Sequence, residues 1–223
     1  NKKSIRPGPA TAIILDASGS MLQRLDGERR IQVAKRGLMQ AIAGQIPAGT
    51  PVSLRVFGHK EADSCRSDLE IPLQPLDVPA ARKVISRIQA RNLARTPIAD
   101  SLALVREDLA QAQGPRTIVL VTDGEETCDG DPEAVIRQLV DDGYDVRLNI
   151  IGFALNDPIL EHLFGAWAQL GGGEYFSAAD KQSFDQAVGK ALQVNYTVVD
   201  AAGKEIAHGL VDGDPVAVPP GDY

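Results

Sequence analysis

The sequence predicts an α/β fold: a doubly wound, mostly parallel central sheet with helices on both faces. Apolar runs of strand length alternate along the chain with segments whose apolar residues recur at helical spacing. This alternation is typical of parallel sheets, in which a helix makes each crossover between strands. The uninterrupted apolar runs at 12–15 and 118–121 also indicate strands that are buried on both faces.

The predicted elements are taken in chain order. They are a strand at 10–16, a helix at 28–45, a strand at 51–57, a short edge strand at 68–73, helices at 78–90 and 97–112, a central strand at 116–122, a helix at 132–141, a strand at 144–152, a helix at 157–170, a strand at 174–177 and a helix at 181–192. Pro47 and Gly49 end the first helix. Asp131 before Pro132 fits an N-cap followed by proline at the first helical position.

The last thirty residues follow a different pattern. Residues 193–200 and 205–211 alternate like strands around a turn at 201–203, which predicts a β-hairpin. We therefore expect the α/β domain to span residues 1–193 and a β-rich module, left incomplete, to begin in 194–223. The alternative is a tail hairpin that packs on the main domain.

Composition and charge exclude some classes of protein. A hydrophobic content of 43% is enough for a substantial core, and the formal charge of −7 argues against a nucleic-acid partner. Basic residues cluster at Arg29, Arg30, Lys35 and Arg36, where their spacing predicts the solvent-facing side of an amphipathic helix. No segment approaches the roughly 20 apolar residues needed to span a bilayer. The sequence shows no signal peptide, although it begins without Met.

A cluster of oxygen-bearing side chains follows the first predicted strand. Asp16, Ser18 and Ser20 are spaced two residues apart, so all three can turn toward one side of an extended segment. A carboxylate and two hydroxyls are ligands suited to a hard cation, which indicates a Mg²⁺ or Mn²⁺ site. Taken alone the pattern is weak, because Asp, Ser and Gly are also common in ordinary turns.

Two later motifs strengthen this interpretation. Thr96 lies at the start of a helical pattern, and Asp123 follows the apolar run of the central strand, where open α/β sheets bind their ligands. Together the three ordered motifs resemble the von Willebrand factor A (vWA) domain and its metal-ion-dependent adhesion site (MIDAS). The resemblance covers about residues 8–192 and is closest to the envelope and secreted domains of bacteria.

The resemblance implies a role for each residue. Ser18 and Ser20 would bind the metal directly, Thr96 would bind it directly or through water, and Asp16 and Asp123 would act mainly through water. It also implies that an Asp or Glu of a protein partner completes the coordination of Mg²⁺ (or Mn²⁺). We therefore expect metal-dependent protein binding, in adhesion or complex assembly, and no enzymatic activity.

Two alternatives stay open at this point. A metal-dependent phosphatase of the haloacid-dehalogenase type also has an Asp at the end of its first strand, but it has a second Asp where this chain has Ser18. A regulatory subunit of a larger enzyme assembly is the other alternative. The sequence contains neither a Walker phosphate loop nor a G-x-G-x-x-G fingerprint.

Cys65 and Cys128 are the two cysteines of the chain. Cys65 follows the second strand and Cys128 lies five positions after Asp123, so both are expected in loops at the carboxyl edge of the sheet. We predict that they form a disulfide, the alternative being two unrelated reduced thiols. A disulfide would indicate a periplasmic or extracellular location.

Overall fold

The computed structural model describes residues 9–47, 49–143, 145–193, 195–200, 203–210 and 216–220. The strands are β1 (Ala10–Asp16), β2 (Arg24–Leu25), β3 (Glu28–Arg29), β4 (Pro51–Phe57), β5 (Ser67–Pro75), β6 (Arg116–Thr122), β7 (Val146–Phe153), β8 (Tyr175–Ala178), β9 (Asn195–Val199) and β10 (Glu205–Leu210). The helices are α1 (Arg30–Gly44), α2 (Val78–Arg87), α3 (Ile98–Asp108), α4 (Pro132–Asp141), α5 (Pro158–Leu170) and α6 (Lys181–Ala191).

Six strands form the central sheet in the order β5-β4-β1-β6-β7-β8. All neighbouring pairs are parallel except β4 and β5, so the edge strand β5 runs against the others. Every residue of β1 and of β4 is buried, as expected of inner strands covered on both faces. The doubly wound α/β fold predicted from the sequence is confirmed.

Helices cover both faces of the sheet, and alternate residues of β1 supply the two cores. Ile13 and Leu15 belong to the cluster that α1, α2 and α6 cover, whereas Ile14 belongs to the cluster under α3, α4 and α5. In the second cluster Trp167 of α5 packs against Phe164, with ring centroids 5.5 Å apart. The period of two along a strand thus places a core on each side of one sheet.

The interpretation of the basic cluster on α1 is wrong for two of its residues. The side chain of Lys35 is buried, and its Nζ donates hydrogen bonds to the carbonyl oxygens of Ser86 and Ile88, both at 2.8 Å. Arg30 turns into the sheet edge instead of the solvent. Helical spacing gives the direction of a side chain but does not show whether another element lies on that side. Here α2 covers Lys35, and the end of β6 lies beside Arg30.

The region between β1 and α1 also differs from the prediction. A short 3₁₀ helix occupies Gly19–Leu22, and β2 and β3 then form a two-stranded antiparallel ribbon around a turn at Asp26 and Gly27. The predicted helix at 28–45 therefore begins two residues later, at Arg30. Elsewhere the N-cap prediction is confirmed, because the side chain of Asp131 accepts a hydrogen bond from the N–H of Ala134 at 3.0 Å.

Strands β9 and β10 form the predicted antiparallel hairpin. Among the described residues they pair with each other and not with the six-stranded sheet. The predicted turn at 201–203 lies partly outside the described residues. Within the described part of the chain, no helix is both long and apolar enough to cross a membrane.

Candidate metal centre

The candidate metal centre lies where β1 and β6 end, at the carboxyl edge of the parallel strands. β1 is an inner strand, paired with β4 on one side and with β6 on the other. After Asp16 the chain enters the 3₁₀ helix at Gly19–Leu22, which keeps the serines close to the strand end. The N–H of Gly19 donates to the carbonyl oxygen of Ala94 at 3.3 Å, so the loop before α3 meets this turn.

Asp16 is fully buried, and each of its carboxylate oxygens accepts a hydrogen bond. The backbone N–H of Ser18 donates to Oδ1 at 2.7 Å, and the hydroxyl of Thr122 donates to Oδ2 at 2.7 Å. Burial, together with the nearby charge of Asp123, raises the pKa of Asp16 to about 7 despite these hydrogen bonds. A cation at the site would favour its ionised form.

Ser18, Ser20 and Asp123 form a chain of close contacts above Asp16. The Oγ atoms of Ser18 and Ser20 are 3.0 Å apart, and the hydroxyl of Ser20 donates to Oδ1 of Asp123 at 2.5 Å. The other oxygen of Asp123 accepts from Nη1 of Arg30 at 2.8 Å. Burial raises the pKa of Asp123 although the contacts with Ser20 and Arg30 oppose this shift.

Thr96 lines the same shallow pocket as Ser18 and Ser20. Its backbone is fixed by Thr127, whose hydroxyl accepts from the N–H of Thr96 at 2.7 Å and whose N–H donates to the carbonyl oxygen of Thr96 at 3.1 Å. The structure therefore brings all five predicted residues to one edge of the sheet. Their roles as metal ligands stay a prediction.

The residues present fit a hard divalent cation. Every potential ligand atom in the side chains of the predicted set is an oxygen, and three of these oxygens belong to hydroxyls. The two buried carboxylates are opposed by one guanidinium, that of Arg30, whose side chain is 12% exposed. A pocket lined by carboxylate and hydroxyl oxygens is suited to a divalent cation that prefers oxygen ligands.

Several residues that support the site were not predicted from the sequence. The hydroxyl of Thr122 donates a hydrogen bond to Asp16, and the guanidinium of Arg30 donates one to Asp123. The hydroxyl of Thr127 accepts a hydrogen bond from the N–H of Thr96 and so fixes the loop before α3. The carboxylate of Glu126 accepts from the N–H of Ala99 in the first turn of α3 at 2.8 Å. A carboxylate of the loop after β6 therefore fixes the start of α3.

A disulfide joins Cys65 and Cys128 beside the pocket, with Cα atoms 5.8 Å apart. It links the loop before β5 to the loop after β6, the loop that carries Glu126 and Thr127. In the chain-entropy account, closing a loop with a sequence separation of 63 stabilises the fold by about 4 kcal/mol. The bond therefore restrains the segment that positions Thr96.

A second group of potential ligands lies nearby. Atoms of His59, Asp68 and Glu70 are within 4.8 Å of one another. Nε2 of His59 is 2.9 Å from Glu70, and the ammonium of Lys60 contacts Asp68 at 3.2 Å and Glu70 at 2.7 Å. The chain's own cation already pairs with these carboxylates, so we describe the group as an ion-pair network.

Comparison with known proteins identifies the family. Residues 11–126 match the von Willebrand factor type A domain, a match that runs from β1 to the loop after β6 and includes all five predicted residues. The chain belongs to the von Willebrand factor type A domain family. It is 38% identical to the uncharacterized protein YwmD of Bacillus subtilis over 192 residues, covering 82% of this chain and 84% of that protein. It is 32% identical to YwmC of the same organism over 185 residues, covering 78% and 79%.

Solved structures share the fold at lower identity. An aerotolerance-related membrane protein from Bacteroides fragilis is 21% identical, with a TM-score of 0.65, over 83% of this vWA chain and 98% of that chain. Proximal thread matrix protein 1 of the mussel byssus, in a structure with a zinc-occupied MIDAS motif, is 18% identical with a TM-score of 0.64. That match covers 83% of this chain and 46% of the mussel protein.

Substitution of Gly58, the residue after β4, tests how closely the site depends on the neighbouring strand. Its φ is +73°, and a Cβ there would lie 2.6 Å from both the N and the Cα of Ser18. We expect Gly58→Ala to displace Ser18 and to weaken Mg²⁺ binding by about tenfold or more, the range seen when groups that orient ligands are changed. Calorimetric titration with Mg²⁺ measures this.

Gly49 is the matched control, because its φ of +86° is equally unusual while no atom lies within 4 Å of its missing Cβ. Gly49→Ala should lose about 1 kcal/mol of unfolding free energy from backbone strain alone, with normal Mg²⁺ affinity. Gly58→Ala should lose more. Equal losses and unchanged Mg²⁺ binding in both variants would contradict the described packing.

Proposed function

We propose that this vWA domain binds a protein partner through a divalent metal ion, with Mg²⁺ the expected ion and Mn²⁺ a substitute. Ser18, Ser20 and Thr96 would supply hydroxyl ligands, while Asp16 and Asp123 would act mainly through water. The observation that carries the proposal is the alignment of the Ser18 hydroxyl, the Ser20 hydroxyl and the carboxylate of Asp123 beside an open pocket.

The proposed mechanism follows from the charge of these ligands. Hydroxyl ligands are neutral, so an ion they hold keeps much of its positive charge, and Mg²⁺ completes six oxygen ligands with water. An Asp or Glu of a partner can replace one of these waters. Such a contact is an ion pair at an interface, and removing one partner of a comparable pair costs roughly 2–5 kcal/mol.

We propose binding instead of catalysis because of how Asp16 is held. A hydrolase of the alternative type needs an accessible carboxylate oxygen as its nucleophile. Asp16 is 0% exposed, and both of its oxygens already accept hydrogen bonds. A regulatory subunit would use the same binding chemistry and would differ in its partner alone. The charge of −7 favours a protein partner over a nucleic acid.

The experiment is affinity capture from an extract of the native cell envelope with Mg²⁺, followed by elution with EDTA. We expect Asp16→Asn, which keeps an acceptor for Ser18 but removes the charge, to lose most of the capture seen with the unmodified chain. Asp129→Asn is the control, because Asp129 is exposed on the same edge and its φ of +59° suits asparagine. Equal capture by Asp16→Asn, or capture that persists in EDTA, would refute the mechanism.

We infer an oxidising compartment, such as the bacterial periplasm or the cell exterior, from the disulfide between Cys65 and Cys128. In protein isolated from its native compartment, alkylation without reductant should leave the intact mass unchanged. Two alkylated thiols would contradict this location.

We also propose that the vWA domain ends near residue 193 and that β9 and β10 begin a β-rich module. The support is that these strands pair with each other and not with the central sheet. A chain that ends at Gln193 should keep the Mg²⁺ affinity and the Tm of the longer chain. A clear drop in Tm would instead indicate a hairpin that packs on the domain.

A further inference from the structure

Leu93 is an exposed leucine at the edge of the metal pocket. The residue lines the pocket together with Ser18, Ser20 and Thr96, yet it is 72% exposed. Its φ is +62°, in the left-handed region that bulky residues seldom adopt. An uncommon backbone conformation therefore presents an apolar side chain to solvent beside the proposed ligands.

Hydrogen bonds on both sides fix the backbone around Leu93. The N–H of Asp63 donates to the carbonyl oxygen of Leu93 at 2.9 Å, and the N–H of Gly19 donates to that of Ala94 at 3.3 Å. The N–H of Ala94 in turn donates to Arg91 at 3.3 Å. These hydrogen bonds fix the exposed position of Leu93, so this segment would lose little conformational entropy when a partner binds.

An exposed leucine alone needs no explanation, since single apolar residues are common on surfaces. Ile159, in the first turn of α5, is 82% exposed and sits in an ordinary helix. Leu93 differs from Ile159 because it combines three features: it is exposed, its backbone has a positive φ, and it lines the pocket. Strained residues of this kind cluster at binding sites.

The charges around the pocket are asymmetric. Arg91 and Arg95 are exposed on the same segment as Leu93, and Arg95 pairs with Asp63 at 2.8 Å. The exposed Glu125 lies two positions after Asp123. Because Asp63 already pairs with Arg95, the exposed Arg91 would supply the main attraction for an acidic segment bound near Leu93, whereas Glu125 would repel such a segment.

We propose that Leu93 is an apolar anchor that selects the partner. The occupant is an acidic protein segment whose metal-binding Asp or Glu has a leucine or an aromatic residue within two positions, and that residue contacts Leu93. This inference rests on the proposed function, because the carboxylate must bind the metal for its neighbour to reach Leu93.

Synthetic peptides test the specificity directly. The parent peptide contains one Asp among Gly and Ser residues, and its derivatives carry Leu or Phe at each of the two positions before and after the Asp. Binding to the whole chain is measured by fluorescence polarisation in Mg²⁺, up to millimolar protein. We expect the best derivative to bind about tenfold tighter than the parent, as partial burial of one large apolar side chain allows.

Leu93→Asn is the informative variant. Asparagine tolerates a positive φ, so the Tm should equal or exceed that of the unmodified chain, which shows that the domain is folded. The tenfold preference should fall to within twofold, while the affinities for Mg²⁺ and for the parent peptide stay unchanged. Ile159→Asn should keep the full preference.

The outcomes separate this inference from the proposed function. If the parent peptide binds in a Mg²⁺-dependent way but the Leu and Phe derivatives bind no tighter, Leu93 does not select the partner and the metal mechanism stands. If the Leu93→Asn variant keeps the preference for Leu or Phe, the conclusion is the same. If no peptide binds in a Mg²⁺-dependent way, the proposed function fails and this inference fails with it.

Discussion

Asp16, at the end of β1, holds the end of β6 and the first loop of the site together. Its carboxylate lies in the protein interior, where an unpaired oxygen would be costly, and each oxygen is satisfied by a donor from a different segment. The donor from Ser18 fixes the turn that carries the serines, and the donor from Thr122 fixes the end of β6. The relative positions of Ser18, Ser20 and Asp123 therefore depend on this one buried group.

The charge at this edge explains why a cation is expected there. Burial makes ionisation of both Asp16 and Asp123 costly, and the charge of Asp123 adds to the cost for Asp16, as the raised pKa values of both residues indicate. Arg30 compensates for part of this charge through its contact with Asp123. A divalent ion would compensate for the rest, with the hydroxyls of Ser18, Ser20 and Thr96 as its proposed ligands. The disulfide and Thr127 keep Thr96 in place across the pocket.

Most of the fold was predictable because it follows from local patterns. The apolar runs of β1 and β6 give strands buried on both faces, and the carboxyl ends of parallel strands meet at one edge, which places Asp16 near Asp123. Thr96 was different, because it lies before a helix and not at the end of a strand. Its place in the set came from the family resemblance and not from periodicity.

The supporting residues could not be predicted in the same way. Arg30 reads as part of a solvent-facing helix surface, and it reaches Asp123 because the β2–β3 ribbon starts α1 at the edge of the site. Lys35 is buried by α2, an element more than forty positions away in sequence. The left-handed backbone of Leu93 depends on hydrogen bonds with the loops around Gly19 and Asp63. Such long-range contacts leave no local pattern in a sequence.

Crystallography measures most directly whether a divalent ion binds among these oxygens. Crystals grown with Mn²⁺ and recorded at the manganese absorption edge locate the ion by its anomalous signal. Binding of the ion there predicts one strong peak beside the hydroxyls of Ser18 and Ser20, with Thr96 and Asp123 in direct or water-mediated contact with the ion. A peak at His59, Asp68 and Glu70 with none at the serines, at saturating Mn²⁺, would contradict it.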